Sequence, residues 1–280
     1  MEGSTYVLHV ASPFVLEEPK DENVLIKPAV DGTIAVMKAA QASKVKRVVV
    51  TSSVAAIMGV DPADVPDDDT FTGEQWTDTN SELGKKAYYK SKTLAEKAAW
   101  DFVKGLPEEE KFELATINPS FVIGPAISGP GFESQKIIAD IVTGKLPGMP
   151  HVRFHYVDVR DVALAHVRAL EEPEAAGKRI ILAAEEMWMA DFGKILHDEF
   201  APQGYEFKTS VPPYCFIRFA SIFSSDIASI LPLWGKVRHL NTDISKDVLG
   251  IKYRPINGSV IDMVNGMIEK GWIPDKRPKN

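Results

Sequence analysis

The chain has 280 residues, 45% of them hydrophobic and 25% charged, with a net charge of -7 and a pI near 5.5. That length supports a sizeable core, and the average composition excludes disordered, collagen-like and coiled-coil classes. One cysteine excludes a disulfide framework or a cysteine-rich zinc module, and the acidity argues against a protein built around nucleic-acid phosphates.

Residues 5–11 (TYVLHVA) are β-branched and aromatic over the length of a strand. Residues 23–43 predict a helix with Val30, Ile34, Met37 and Ala40 on its apolar face, and Pro28 is tolerable only in its first turns. Residues 46–52 (KRVVVTS) form a continuous apolar run, as expected of a strand covered on both faces in a parallel sheet. An acidic loop containing DPADVPDDDT follows, then a helix over 86–104 and a strand over 112–118 ending at Asn118-Pro119. Residues 153–157, 158–171 and 179–184 add strand, helix and strand. This alternation predicts an α/β fold with a doubly wound parallel sheet. From Met187 onward the helices shorten, prolines cluster and no strand–helix alternation is visible. The expected division is a doubly wound α/β domain at 1–125 and 148–184, which the resemblance given below makes a partial Rossmann domain, with a smaller substrate lobe at 126–147 and 185–280.

No run of 18 apolar residues, leader peptide or lipidation signal is present, so a soluble cytoplasmic protein without a membrane span is expected, as monomer or homodimer. There is no phosphate-loop motif, no H-E-x-x-H and no G-x-S-x-G. Six scattered histidines suggest no metal site, and Asp67-Asp68-Asp69 reads as a solvated loop. Tyr88 and Lys92 lie four apart on a predicted helix and project from one face. A cation beside a phenol favours the phenolate, so a lowered Tyr88 pKa and a general-acid role are expected. Alone, such a pair reads as a surface helix pair. Thr51, Ser52 and Ser53 close the strand KRVVVTS at the sheet edge where ligands bind in open α/β folds. A lone serine there reads first as a cap or turn residue. Asn118-Pro119, Ser120, Val122 and Gly124-Pro125 follow the next strand at the same edge. The convergence of three strands on one crevice carries the reading.

The stretches VLHVASPF, RVVVTSSVAA, YYKSKTLAEKAAWDF, INPSFVIGP and FHYVDVRDVALAH together resemble the extended short-chain dehydrogenase/reductases. Within them they resemble the dihydroflavonol 4-reductase-like branch, with its cinnamoyl-CoA reductases and fungal aldehyde or ketone reductases. The resemblance implies reduction of a ketone or aldehyde with NADP(H), NAD(H) being the alternative cofactor. Tyr88 would protonate the carbonyl oxygen, Lys92 would lower its pKa and hold the nicotinamide ribose, and Ser53, or its neighbour Ser52, would bind the carbonyl. Ala11, Ser12 and Pro13 would approach the cofactor through backbone, Thr51 and Ser52 would line it, Pro119 and Val122 would flank the nicotinamide, and Ser134 would add a contact. Phe216, Phe219 and Phe223 are candidate substrate contacts, with ordinary helix packing as the alternative. Asp158 and Asp161 read as a helix cap. The sequence KKAYYKSK departs from the N-W-Y-C-Y-G-K of plant cinnamoyl-CoA reductases, which argues against a CoA thioester and for a ketone or aldehyde, bulky and aromatic among them. A 3β-hydroxysteroid-type dehydrogenase, a sugar-nucleotide epimerase and a non-catalytic binding product are the alternatives.

A Rossmann dehydrogenase opens with a strand and a glycine-rich turn that meets the pyrophosphate. Here nineteen glycines form no such turn, and the one G-x-G, Gly129 and Gly131, follows the Tyr88 helix. Against the resembling family, Met1 falls just before the fourth strand. The expectation is an N-terminally truncated sheet whose TYVLHVA strand becomes an exposed edge.

Overall fold

The computed structural model describes residues 1–13, 18–125 and 133–277. Gly129 and Gly131 lie outside the described residues. In chain order the regular elements begin with β1 (Tyr6–His9), α1 (Asn23–Ala42), β2 (Arg47–Thr51), β3 (Thr70–Phe71), α2 (Ala87–Lys104) and β4 (Glu113–Pro119). They continue with β5 (Phe121–Ile123), α3 (Glu133–Val142), β6 (Arg153–Asp158), α4 (Val159–Glu171), β7 (Arg179–Leu182) and β8 (Glu185–Trp188). Last come α5 (Met189–Phe200), α6 (Tyr214–Ala220), α7 (Ser225–Ile230), β9 (His239–Leu240) and α8 (Ile256–Glu269). The chain divides into a first unit of Met1–Ser120, Val162–Leu182 and Arg238–Lys252, and a second of Phe121–Asp161, Ala183–Val237 and Tyr253–Asn280.

The first unit is built on a parallel sheet in the order β1-β2-β4-β7. Every residue from Arg47 to Val50 in β2 is buried, as its unbroken apolar run requires of a strand covered on both faces. Strand alternation puts Val48, Val50 and Leu114 into one cluster with Met37 and Ala40 of α1 and Ala99 of α2. Val49, Ala115, Ile117 and Ile180 are equally buried from the opposite face. On α1 the fully buried stripe is Leu25, Ala29, Thr33, Met37 and Ala40, so Val30 and Ile34, expected on the core face, sit half-buried beside it. The reason is close helix packing. Extensive contact between α1 and α2 favours small residues, and α2 likewise buries Ala87, Ser91, Ala95 and Ala99. Helix α1 ends in a Schellman-type turn, with Val45 N–H donating to Ala40 O at 3.2 Å and Lys44 at φ 50°.

At the other end of the sheet's strands, Arg47 serves as a cap. Its Nη1 donates to Ala169 O at 2.7 Å and Glu172 O at 2.6 Å, satisfying carbonyls at the last turn of α4, while its Nε meets Glu113 at 2.8 Å. Among the described residues β1 is paired on one side only, and Tyr6, Leu8 and Val10 are exposed.

The second unit holds a separate three-stranded sheet, β5-β6-β8, with β6 parallel to β5 and antiparallel to β8. The strand over 153–158 therefore does not continue the four-stranded sheet, and β8 runs across Met187 to Trp188 directly into α5. The short strand EEMW was missed because it has no turn signal before it and passes straight into α5. Tyr156 stacks on Phe192 at 4.4 Å within a core that also contains Ile123, Met189, Phe200, Val260 and Met263. Among the described residues no helix is long and apolar enough to cross a membrane.

Candidate active site

The carboxyl ends of β1, β2 and β4 and one face of α2 meet within the first unit. Strand β2 leaves the sheet at Ser52, and Ser53 in extended conformation caps the single helical turn Val54–Ala56, its Oγ accepting from Ala55 N–H at 3.1 Å. The same oxygen accepts from the phenolic hydroxyl of Tyr88 at 3.3 Å. Ser53 is thus both the turn residue and the group facing the phenol; one role prepares the other, because the cap holds the side chain in one rotamer.

Its neighbours are differently engaged. The Ser52 hydroxyl donates to Glu96, and Thr51 Oγ1 lies 2.6 Å from Nε2 of His166. His166 Nδ1 faces the carbonyl of Val162 at 2.8 Å, so that nitrogen carries the proton and Nε2 accepts from Thr51. Of the three hydroxyls at this strand end, only that of Ser53 faces Tyr88.

Lys92 follows Tyr88 by one helical turn, with Nζ 5.8 Å from the centroid of the Tyr88 ring. Lys92 is 8% exposed, and no carboxylate pairs with it among the described residues. Burial holds its ammonium well below the ordinary lysine value of 10.5, at about 8. Tyr88 departs from expectation. Half-buried as a residue but with its phenol desolvated, it is pushed up from 10.0 to about 12 rather than lowered. Desolvation outweighs the hydrogen bond with Ser53, and the ammonium beneath the ring does not offset it. At neutral pH Tyr88 therefore keeps its proton, as a donor must.

His9 at the end of β1 closes the other side. With Ser12, Thr33, Val50, Thr51, Ser52, Lys92, Ala95 and Glu96 it lines a cavity of about 10 Å³, room for roughly one water. His9 Nε2 lies 3.2 Å from Thr33 Oγ1, and its pKa is lowered by burial and then by the charge of Lys92. Ser12 lines this cavity, and Ala11 and Pro13 flank it in the same loop. Pro119 ends β4, and the hydroxyl of the following Ser120 is buried without a hydrogen-bond partner among the described residues.

The remaining expected contacts belong to the second unit. Val122 lies in β5, Ser134 in the first turn of α3, and Phe216 and Phe219 on α6 with Phe223 just beyond. The three phenylalanines are 54%, 62% and 76% exposed, and the rings of Phe219 and Phe223 meet edge to face at 5.4 Å. Asp158 accepts from Arg160 N–H at 2.7 Å, as a cap should, whereas Asp161 pairs with Arg254 and accepts from its backbone N–H at 2.8 Å. Among the described residues no cluster of three or more histidine, cysteine or acidic side chains could hold a metal.

Sequence reasoning missed His9, Glu96 and Arg179. One signal was present: Tyr88, Lys92 and Glu96 recur every four residues, so a carboxylate extends the buried stripe of α2.

A Rossmann-type parallel sheet with a tyrosine, a lysine and a serine gathered at its carboxyl edge defines a class of α/β protein. The chain belongs to the NAD dependent epimerase/dehydratase family, whose model matches residues 1–184. It is 35% identical over 208 residues to the NADPH-dependent methylglyoxal reductase of Saccharomyces cerevisiae, covering 69% of this chain and 60% of that protein. It is 30% identical over 274 residues to a cinnamoyl-CoA reductase of Medicago truncatula (96% and 75%), and 32% identical over 286 residues to an Aspergillus niger ketoreductase (94% and 75%). A crystal structure of yeast methylglyoxal/isovaleraldehyde reductase complexed with NADPH superposes with a TM-score of 0.76 at 28% identity, covering 96% of this chain and 78% of that one. The chain spans about 60% of the length of the budding- and fission-yeast oxidoreductases it matches. The resemblance to extended short-chain dehydrogenase/reductases stands on these relatives.

Proposed function

We propose that this protein reduces a ketone or aldehyde to an alcohol with NADPH, using Ser53, Tyr88 and Lys92. The observation that carries the reading is the Tyr88 hydroxyl 3.3 Å from Ser53 Oγ with the Lys92 ammonium beneath the same ring. The site suits a nicotinamide cofactor on two counts. Lys92 is a buried cation that no carboxylate neutralises among the described residues, which suits a ligand presenting hydroxyls. Ser120 adds, just past the end of β4, a buried hydroxyl without a partner among the described residues. Lys92 would hold the ribose, Ala11, Ser12 and Pro13 would approach through backbone, and Pro119 would flank the ring. The cofactor supplies hydride to the carbonyl carbon.

The protein's own part is acid catalysis and orientation. Ser53 Oγ, fixed by the Ala55 N–H, donates its proton in a hydrogen bond to the carbonyl oxygen and aims it at Tyr88. Tyr88 Oη gives up its proton to that oxygen, completing the alcohol. Burial keeps that proton in place until it is needed, and Lys92 stabilises the phenolate left behind. A methylglyoxal reductase, a ketoreductase and a cinnamoyl-CoA reductase among the relatives support carbonyl reduction as the chemistry. An uncharged ketone or aldehyde rather than a CoA thioester is the proposed substrate class.

The test is NADPH fluorescence titration followed by NADPH-consuming turnover of benzaldehyde and methylglyoxal. Tyr88→Phe should cut turnover by about 100-fold or more while leaving NADPH affinity within about threefold. Wild-type protein that fails to consume NADPH with any carbonyl, or Tyr88→Phe that still turns over, would sink the reading.

A further inference from the structure

Glu96 is 1% exposed, and its carboxylate is surrounded by donors from α2, β4, β7 and the residue just past β2. Oε1 accepts from Arg179 Nε at 2.5 Å, Thr116 Oγ1 at 3.0 Å and Trp100 Nε1 at 3.3 Å. Oε2 accepts from Asn118 Nδ2 at 2.8 Å, from Ser52 Oγ and, longer, from Arg179 Nη2 at 3.4 Å. Each partner leads on to a segment of the site. Ser52 precedes Ser53. Asn118 donates its second Nδ2 proton to the carbonyl of Ser53 at 3.2 Å and precedes Pro119. Arg179 lies across the ring of Trp76 at 3.6 Å and donates to the carbonyl of Ala56, the last residue of the turn that Ser53 caps, at 3.1 Å. Two more donations, to Gly73 O at 2.9 Å and Gln75 O at 2.5 Å, pin the loop beyond.

A buried ion pair of this kind adds little net stability, because desolvation consumes most of the Coulomb attraction. Its directional bonds do something burial alone does not: they fix one helix against three strand ends at a single register. Glu96 stands one turn beyond Lys92 and two beyond Tyr88, so a shift of its carboxylate carries both along α2.

We infer that Glu96 is a positioning residue, acting through Asn118, Ser52 and Arg179 to hold Ser53 opposite Tyr88 and Lys92. This rests on the carbonyl-reductase reading for its kinetic consequence, but not for its structural one.

The experiment compares wild type with Glu96→Gln, with the charge-balanced pair Glu96→Gln and Arg179→Gln, and with Asn118→Ala, which cuts the link to Ser53 and leaves the ion pair in place. The readouts are kcat and KM for benzaldehyde with NADPH, NADPH affinity, the urea midpoint, and amide hydrogen exchange. In every folded variant kcat should fall by about 30-fold or more, with KM and NADPH affinity within about threefold. Exchange of the Ala55 amide, which donates to Ser53 Oγ, should speed by about tenfold while that of Val49 in β2 stays unchanged. A merely structural role would raise exchange at both amides and let kcat return when the charge-balanced pair restores the urea midpoint. A folded variant with kcat within about threefold of wild type, or with Ala55 exchange unchanged, overturns the inference. If wild type itself does not turn over, the carbonyl-reductase reading falls instead, and the Ala55 exchange still decides the positioning role.

Discussion

Replacing Lys92 by methionine should make the fold more stable at neutral pH while removing function. Lys92 is 8% exposed, and burial holds its ammonium at about 8 against 10.5 in the unfolded chain. At about 1.4 kcal/mol per pH unit, keeping it charged in the fold costs about 3 kcal/mol. The sign follows from proton counting. Below pH 8 both states are protonated and the full cost is present. Between about pH 8 and 10.5 the unfolded chain binds the proton and the fold does not, so stability rises with pH. Tyr88, raised from 10.0 to about 12, works the other way and begins to lower stability only above pH 10. The window from pH 7.5 to 9.5 therefore isolates Lys92. Methionine matches the length of the buried stem and carries no charge to desolvate. Urea unfolding of both proteins should show Lys92→Met ahead by about 3 kcal/mol at pH 7.5, the gap narrowing by about 2 kcal/mol at pH 9.5. Other lysines titrate alike in both proteins and cancel in the difference. A gap that does not change with pH, or a methionine variant less stable at pH 7.5, would refute the reasoning, because it would mean that the ammonium is solvated or paired.

The same value sets a kinetic limit: NADPH turnover should decline as pH rises through about 8, where Lys92 loses its proton; a pH–rate profile still climbing above pH 9 would remove Lys92 from that role. A Cβ on Gly84 would lie 1.8 Å from the carbonyl oxygen of Asp78, so Gly84→Ala should cost about 3 kcal/mol or more, read as a lowered urea midpoint. Lys44 sits at φ 50° just past α1, where glycine is unstrained, so Lys44→Gly should raise stability by about 1 kcal/mol. Thermal denaturation would expose an error there as an unchanged or lowered midpoint.

The first unit was read from its residues because its sheet is parallel. Strands buried on both faces advertise themselves as unbroken apolar runs, and KRVVVTS, 112–118 and 179–184 appear within one or two residues of their observed ends. The pairing of Tyr88 with Lys92 was equally visible, since helical spacing alone puts them on one face. Three things were not. The β6 strand looks like another member of the main sheet, and only its antiparallel partner β8 shows that it belongs elsewhere. The packing stripe of α1 runs through Leu25 and Met37 with the small Ala29, Thr33 and Ala40 between and beyond them, where α2 packs closely, and leaves Val30 and Ile34 to its side. The Tyr88 pKa moves opposite to its expected direction, because spacing reports a neighbouring charge but not the loss of water around the phenol.

That last reversal bears on how the site would work. A tyrosine lowered by its lysine would lose its proton more readily before any carbonyl arrived. A tyrosine raised to about 12 beside an ammonium lowered to about 8 holds both groups protonated at neutral pH, the phenol in its favoured neutral form and the ammonium at an energetic cost. Once the phenol has given its proton away, the phenolate and ammonium attract each other across the 5.8 Å between ring and amine, which offsets part of the cost of forming a buried phenolate. Interactions that are stronger after proton transfer than before it favour the transition state over the ground state. The raised phenol pKa keeps the proton in place at neutral pH but makes its transfer harder, and under the proposed function the neighbouring ammonium would offset part of that cost. Glu96, by fixing α2 against the strand ends, would keep both groups opposite Ser53.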